Sequence, residues 1–132
     1  MNVFLRIQIK LPYEEGYMNV DWKRINSFIT EGDEEEQEWL RDMISTLISN
    51  YEERLAELSE IVSNKDNVKL TALLHQMKGI TSNFGLEALR QITHEAEILS
   101  KATNFEASIA ETSKLPQVWQ QTKAELKEKL GI

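Results

Sequence analysis

A chain of 132 residues, 41% apolar and 28% charged, has the length and composition of one soluble domain with a single hydrophobic core. Its net charge of −7, with basic residues scattered rather than striped, argues against a nucleic-acid or anionic-membrane surface. Zero cysteines exclude disulfides, thiolate metal sites and cysteine nucleophiles, and no apolar run approaches the ~20 residues of a membrane span.

At the N-terminus, Val3-Phe4-Leu5-Arg6-Ile7-Gln8-Ile9-Lys10-Leu11 alternates like a strand, whereas everything after it is helical in pattern. The stretch is too short and too interrupted by Arg6, Gln8 and Lys10 to be a signal peptide, so the cytoplasm is the expected location. Residues 1–20 read as an extension that is either disordered or not translated natively. Glu14-Glu15-Gly16 could be encoded by a purine-rich stretch resembling a bacterial ribosome-binding site, which points to a native start at Met18.

Residues 21–132 read as one helical domain. Asp21 to Ile29 forms a short amphipathic helix with Trp22, Ile25, Phe28 and Ile29 on its apolar side. Gly32 and the acidic run Asp33-Glu34-Glu35-Glu36 mark a helix start, because carboxylates in a first turn complement the helix dipole. From there Trp39, Leu40, Met43, Leu47, Ile48, Tyr51, Leu55, Leu58 and Ile61 or Val62 recur at helical spacing, which predicts one long helix from Asp33 to about Val62. Asn64-Lys65-Asp66-Asn67 is a turn, with Asp66 or Asn67 as N-cap of the next helix.

That helix carries Leu70, Leu73, Leu74, Met77, Ile80 and Phe84 on one side. Gly85 closes it as a C-cap, and the following helix presents Leu86, Leu89, Ile92, Ala96 and Leu99 to about Lys101. A last helix spans about Asn104 to Leu130, interrupted or kinked near Pro116, and buries Phe105, Ile109, Leu115, Val118, Trp119, Leu126 and Leu130. Short links between long amphipathic helices predict an all-α fold, an antiparallel four-helix bundle with a short additional N-terminal helix. Its aromatic and methionine positions are core by spacing. A bundle of this size can close its own core, so a monomer is expected.

His75 falls almost opposite the apolar stripe of its helix. Its neighbours one turn away are Thr71, Ala72, Lys78, Gly79 and Ser82, which are small residues plus one cation. A solvated helix face normally carries longer polar side chains, so this cleared patch around an exposed imidazole needs a reason. Gly79 lies inside the helix, where it costs ~1 kcal/mol relative to alanine, and something approaching the backbone beside the histidine would explain it. Lys78 can place an ammonium near whatever the imidazole carries, and an anion such as a phosphoryl group fits. His94 is also outward by helical angle but lacks this context and reads as a plain surface residue. Neither histidine has metal-ligand spacing to another histidine or carboxylate.

The segment His75-Gln76-Met77-Lys78-Gly79, then Ser82-Asn83-Phe84-Gly85, Leu89, Glu95 and Glu97, resembles the histidine-containing phosphotransfer domain family. That family's signature is a histidine, any residue, leucine or methionine, lysine, glycine, and a second glycine after five more positions. The likeness runs from about Asp33 to the C-terminus, and it departs at Ser82, where many members carry glycine. It implies a phosphorelay protein with His75 as phosphoacceptor, Lys78 as charge support for the phosphoryl group, and Gly79, Ser82, Thr71 and Ala72 as clearance for partner docking. Gly85 reads as structural. The implied partners are receiver domains of response regulators or of a hybrid histidine kinase. Those domains bring their own acidic pocket and Mg2+, and no cofactor is expected on this chain.

Two other readings compete. A histidine kinase dimerisation domain carries an acidic residue directly after its histidine and a proline a turn later, positions near Gln76 and Gly79 here. No glycine-rich nucleotide-binding region is present, so an autonomous kinase using ATP is not expected. A non-relaying adaptor that binds receivers or another signalling protein would need neither His75 nor Lys78.

Overall fold

The computed structural model describes residues 16–132, and every regular element within them is a helix. The order is α1 (Trp22–Asn26), α2 (Glu34–Ser63), α3 (Asn67–Phe84), α4 (Glu87–Lys101), α5 (Phe105–Thr112) and α6 (Leu115–Leu130). The long helices α2, α3, α4 and α6 form the bundle, with α1 across one end and α5 packed on α4. None of these helices is long and apolar enough to cross a membrane. The strand-like alternation over 3–11 lies outside the described residues.

Aspartate or asparagine starts α1, α2, α3 and α5 by satisfying otherwise unpaired amides, whereas α4 and α6 begin without a side-chain cap. The Asp33 carboxylate accepts from Glu36 N, the Asp66 carboxylate from Lys69 N, and the Asn104 side chain from Ala107 N. Glu34, Glu35 and Glu36 fill the first turn of α2, where the dipole favours them. The core then closes from one stripe per helix: Leu40, Ile44, Leu47, Tyr51, Leu58 and Ile61 of α2 meet Leu70, Leu73, Leu74 and Met77 of α3. Leu89, Ile92 and Ala96 of α4 and Val118, Trp119 and Leu126 of α6 complete it. The rings of Tyr51 and Trp119 lie 4.6 Å apart, and Trp119 Nε1 donates to Glu52 Oε2 at 3.1 Å, fastening α6 to α2.

Three expectations change. The last helix is two helices, parted at Ser113 and Lys114, and Pro116 sits in the first turn of α6, where its missing N–H costs no helical bond. Trp39 is half exposed rather than core, because the buried stripe of α2 passes through Leu40 and Ile44 and leaves position 39 on its flank. Met18 is exposed as well. Residues 17–20 are tied to the bundle: Ala88 N donates to Met18 O at 3.0 Å and Val20 joins the core, so packing takes in residues that the sequence places in the extension.

The corner between α3 and α4 sets the register of the site. Gly85 caps α3 in the left-handed conformation at φ 68°, and Leu86 N donates back to Thr81 O at 2.9 Å. Asp21 N donates to Gly85 O at 2.8 Å, while Arg24 Nε donates to Asn83 O at 2.8 Å and its guanidinium stacks 4.8 Å over Phe28. A Cβ at position 85 would stand 2.9 Å from Arg24 Cβ and 3.1 Å from Asp21 Cβ. Gly85→Ala therefore combines left-handed strain with overlap against α1. We expect it to cost about 2 kcal/mol or more in urea unfolding, and a cost below about 0.5 kcal/mol would contradict this account of the corner.

Candidate functional site

Residue 97 is where α4 places a carboxylate among buried small residues. Thr93, Ala96 and Ser100 surround it on the face that α4 turns to α3, and Glu97 itself is 1% exposed. An ionised carboxylate in that position requires partners, since burial without them is costly. Three donors supply them. His75 Nδ1 lies 2.8 Å from Oε2, Lys101 Nζ lies 3.3 Å from the same oxygen, and Lys78 Nζ lies 2.6 Å from Oε1. The Lys78 contact is an ion pair set off the line of a well-formed hydrogen bond, so Oε1 has no aligned donor.

Burial alone would push the Glu97 carboxyl up, but Lys78, His75 and Lys101 outweigh it and hold the group down to about 2 from the ordinary 4.5. Glu97 is therefore ionised at neutral pH and can only accept. In the neutral imidazole this places the proton on Nδ1, which donates to Glu97, and leaves the lone pair on Nε2. The imidazole side chain is 71% exposed, so Nε2 is open to solvent while Nδ1 is anchored. A carboxylate orients the histidine of a catalytic triad in the same way, and a ring so held can present Nε2 to an electrophile.

The other expected site residues fall around this centre. Lys78 does not extend into solvent; it is 28% exposed and folds across the α3–α4 seam onto Glu97. Gly79 is exposed, and a Cβ built there meets nothing within 4 Å. No internal packing thus demands glycine at 79. Ala72 and Ser82 are exposed on the same helix. Thr71 is half-buried and turned towards α4, with its hydroxyl bonded to Asn67 O at 2.9 Å and in contact with Ser100 Oγ. His94 is half-buried rather than a plain surface residue, and it stands outside the network. Among the described residues, no group of three histidine, cysteine, aspartate or glutamate side chains is placed to hold a metal ion.

A family model described as the Hpt domain matches residues 42–129. The chain belongs to the Hpt domain family. No curated protein and no solved structure matches it. Membership carries the general role of the family, histidine phosphotransfer within a phosphorelay, and Hpt domains work with receiver domains in two-component systems.

In the sequence Glu97 enters only through the family resemblance, with no role attached, and Lys101 marks only the end of its helix. A signal was present: Glu97 is an acidic residue on the stripe of Leu89, Thr93, Ala96 and Ser100, where an unpaired charge could not stay. For this Hpt domain the carboxylate links pH to stability. Its pKa in the fold lies below its unfolded value, so its contribution is complete above pH ~5 and fades as pH falls towards 2. We expect the stability gap between wild type and Glu97→Gln to shrink by on the order of 3 kcal/mol across that window, measured by urea unfolding at stepped pH. A gap constant from pH 6 to pH 3 would mean that Glu97 is not held ionised by its partners.

Proposed function

We propose that this Hpt domain accepts a phosphoryl group on Nε2 of His75 from the aspartyl phosphate of a receiver domain and returns it to another receiver aspartate. The observation that carries this reading is the exposed imidazole of His75, fixed through Nδ1 to buried Glu97 with Nε2 directed outward. In the forward step the Nε2 lone pair attacks phosphorus, the acyl–oxygen–phosphorus bond breaks, and the receiver carboxylate leaves. The Nδ1 proton stays in place, and the positive charge gained by the ring faces the Glu97 carboxylate. Lys78, held at the same carboxylate, offers charge support beside the incoming group.

The receiver supplies Mg2+ and its own acidic pocket, and this chain supplies a positioned acceptor without bound cofactor. Gly79 and Ser82 give the receiver close access to the backbone of α3. The exposed Trp39 and half-buried Met43, Ile80 and Phe84 line a groove between α2 and α3 on which a receiver can rest apolar side chains. A monomer suffices for this role, in keeping with a cytoplasmic relay.

Transfer from a phosphorylated receiver domain tests the proposal. Label is expected on the wild type and absent from His75→Gln, lost in acid and kept in base. Absence of label from several receivers with binding intact would favour the adaptor reading instead. At Gly79 two substitutions separate stability from docking. Gly79→Ala should hold or raise stability by up to about 1 kcal/mol, because the added methyl enters open space on a helix. Gly79→Glu should keep the helix yet slow transfer at least tenfold, roughly the effect of ~1.4 kcal/mol. Transfer at the wild-type rate in Gly79→Glu would remove position 79 from the interface.

A further inference from the structure

The Glu97 carboxylate gathers a second cation that the phosphocarrier reading leaves unused. Lys101 Nζ and His75 Nδ1 contact the same oxygen, Oε2, at 3.3 and 2.8 Å, so the two nitrogens cannot be farther apart than those contacts laid end to end. The two lysines are held differently. Lys78 lies in the α3–α4 seam, 28% exposed and 2.6 Å from its oxygen, whereas Lys101 reaches in from the rim, 60% exposed and with the longer contact. The ammonium end of the Lys101 pair is open to solvent, so it can exchange partners more readily than the Lys78 ammonium held in the seam. Lys101 also ends α4, where the helix dipole favours a cation whether or not Glu97 holds it.

We propose that Lys101 is a phosphoryl-binding residue: once His75 carries a phosphoryl group on Nε2, the Lys101 ammonium leaves Glu97 and pairs with the phosphoryl oxygens. The inference rests on the reading of His75 as acceptor. One carboxylate charge is shared by three donors in the resting site, and a phosphoryl group brings close to two negative charges and three strong acceptor oxygens. The loosest of the three donors moves to it, while Lys78 remains as the counter-charge that buried Glu97 requires. A lysine stem of four methylenes spans the short distance from the carboxylate to a group on the far side of the imidazole.

The consequence is a longer-lived phosphohistidine. Loss of the phosphoryl group to water passes through a loose, metaphosphate-like transition state. There the charge on the phosphoryl oxygens falls, so an ammonium bound to them stabilises the phosphorylated state more than the transition state. Lys101 thereby protects the stored group until a receiver arrives with Mg2+ to compete for the same oxygens.

The test uses the whole chain and no partner. Wild type, Lys101→Ala, Lys101→Arg and Lys69→Ala are phosphorylated with phosphoramidate, and the decay of phosphohistidine is followed by 31P NMR alongside thermal melts. Lys101→Ala should shorten the lifetime about three- to tenfold with at most a small drop in the melt, since Lys78 and His75 still face Glu97, and Lys101→Arg should restore the lifetime. Lys69→Ala, which removes an exposed α3 lysine that does not touch Glu97, should match wild type. An unchanged lifetime in Lys101→Ala, or an equal loss in Lys69→Ala, overturns the inference and leaves His75 as acceptor. A wild type that forms no phosphohistidine overturns both.

Discussion

One buried negative charge organises this molecule. Glu97 sits within the α3–α4 interface at a depth where an unpaired carboxylate would neutralise itself or force the helices apart. Its ionised state is maintained because α3 brings an imidazole and an ammonium to it and α4 adds a second ammonium one turn on. Structure and chemistry thus share a single interaction. The contact that makes the burial of Glu97 tolerable is also the contact that aims His75.

That interaction depends on helix register, which other features fix at both ends. At one end the left-handed Gly85 turns the chain sharply enough for α4 to run back along α3. At the other, Asn67 Nδ2 donates to Ser100 O at 3.0 Å, and Ser100 Oγ donates to Asn67 Oδ1 at 3.0 Å. Between these pins residue 75 faces residue 97 and residue 71 faces residue 100. A shift of a single residue along either helix would rotate its side chain by about 100° and leave the carboxylate facing hydrocarbon. The polar side chains of the seam therefore select one packing of two otherwise interchangeable apolar stripes.

Much of this was legible in the sequence, and the boundary of legibility is physical. Helical period together with the capping residues Asp33, Asp66 and Gly85 locates α2, α3 and α4 to within a residue or two, because each buries one continuous stripe and has a marked end. His75 stood out because its surroundings were cleared of long side chains, a local pattern visible without tertiary knowledge. Trp39 was misplaced because position 39 borders the stripe, and whether a border residue is covered depends on what packs across from it. Pro116 signalled a break in the last helix, but proline equally begins a helix and interrupts one, so the break was located only approximately. The pairing of Glu97 is hidden in the sequence for a deeper reason. Its partners lie 22 and 19 residues upstream on another helix, and only the register of the α3–α4 corner brings them together.

The fastening of that corner by α1 has a further consequence for how the protein moves. All the contacts that aim His75 lie within α3 and α4, neighbours in sequence joined by a two-residue turn. The grip of Asp21 and Arg24 on Gly85 and Asn83 comes instead from a five-residue helix with a single fully buried side chain, Ile25. Local opening is cheapest where few apolar contacts resist it, so α1 belongs to the low-stability end of the fold and the α3–α4 hairpin to the high end. Fraying of α1 together with the turn after it would bare more of Phe84, against which Phe28 packs with ring centres 5.9 Å apart, and leave the imidazole and its carboxylate undisturbed. The imidazole is thereby insulated from the breathing of the surface beside it.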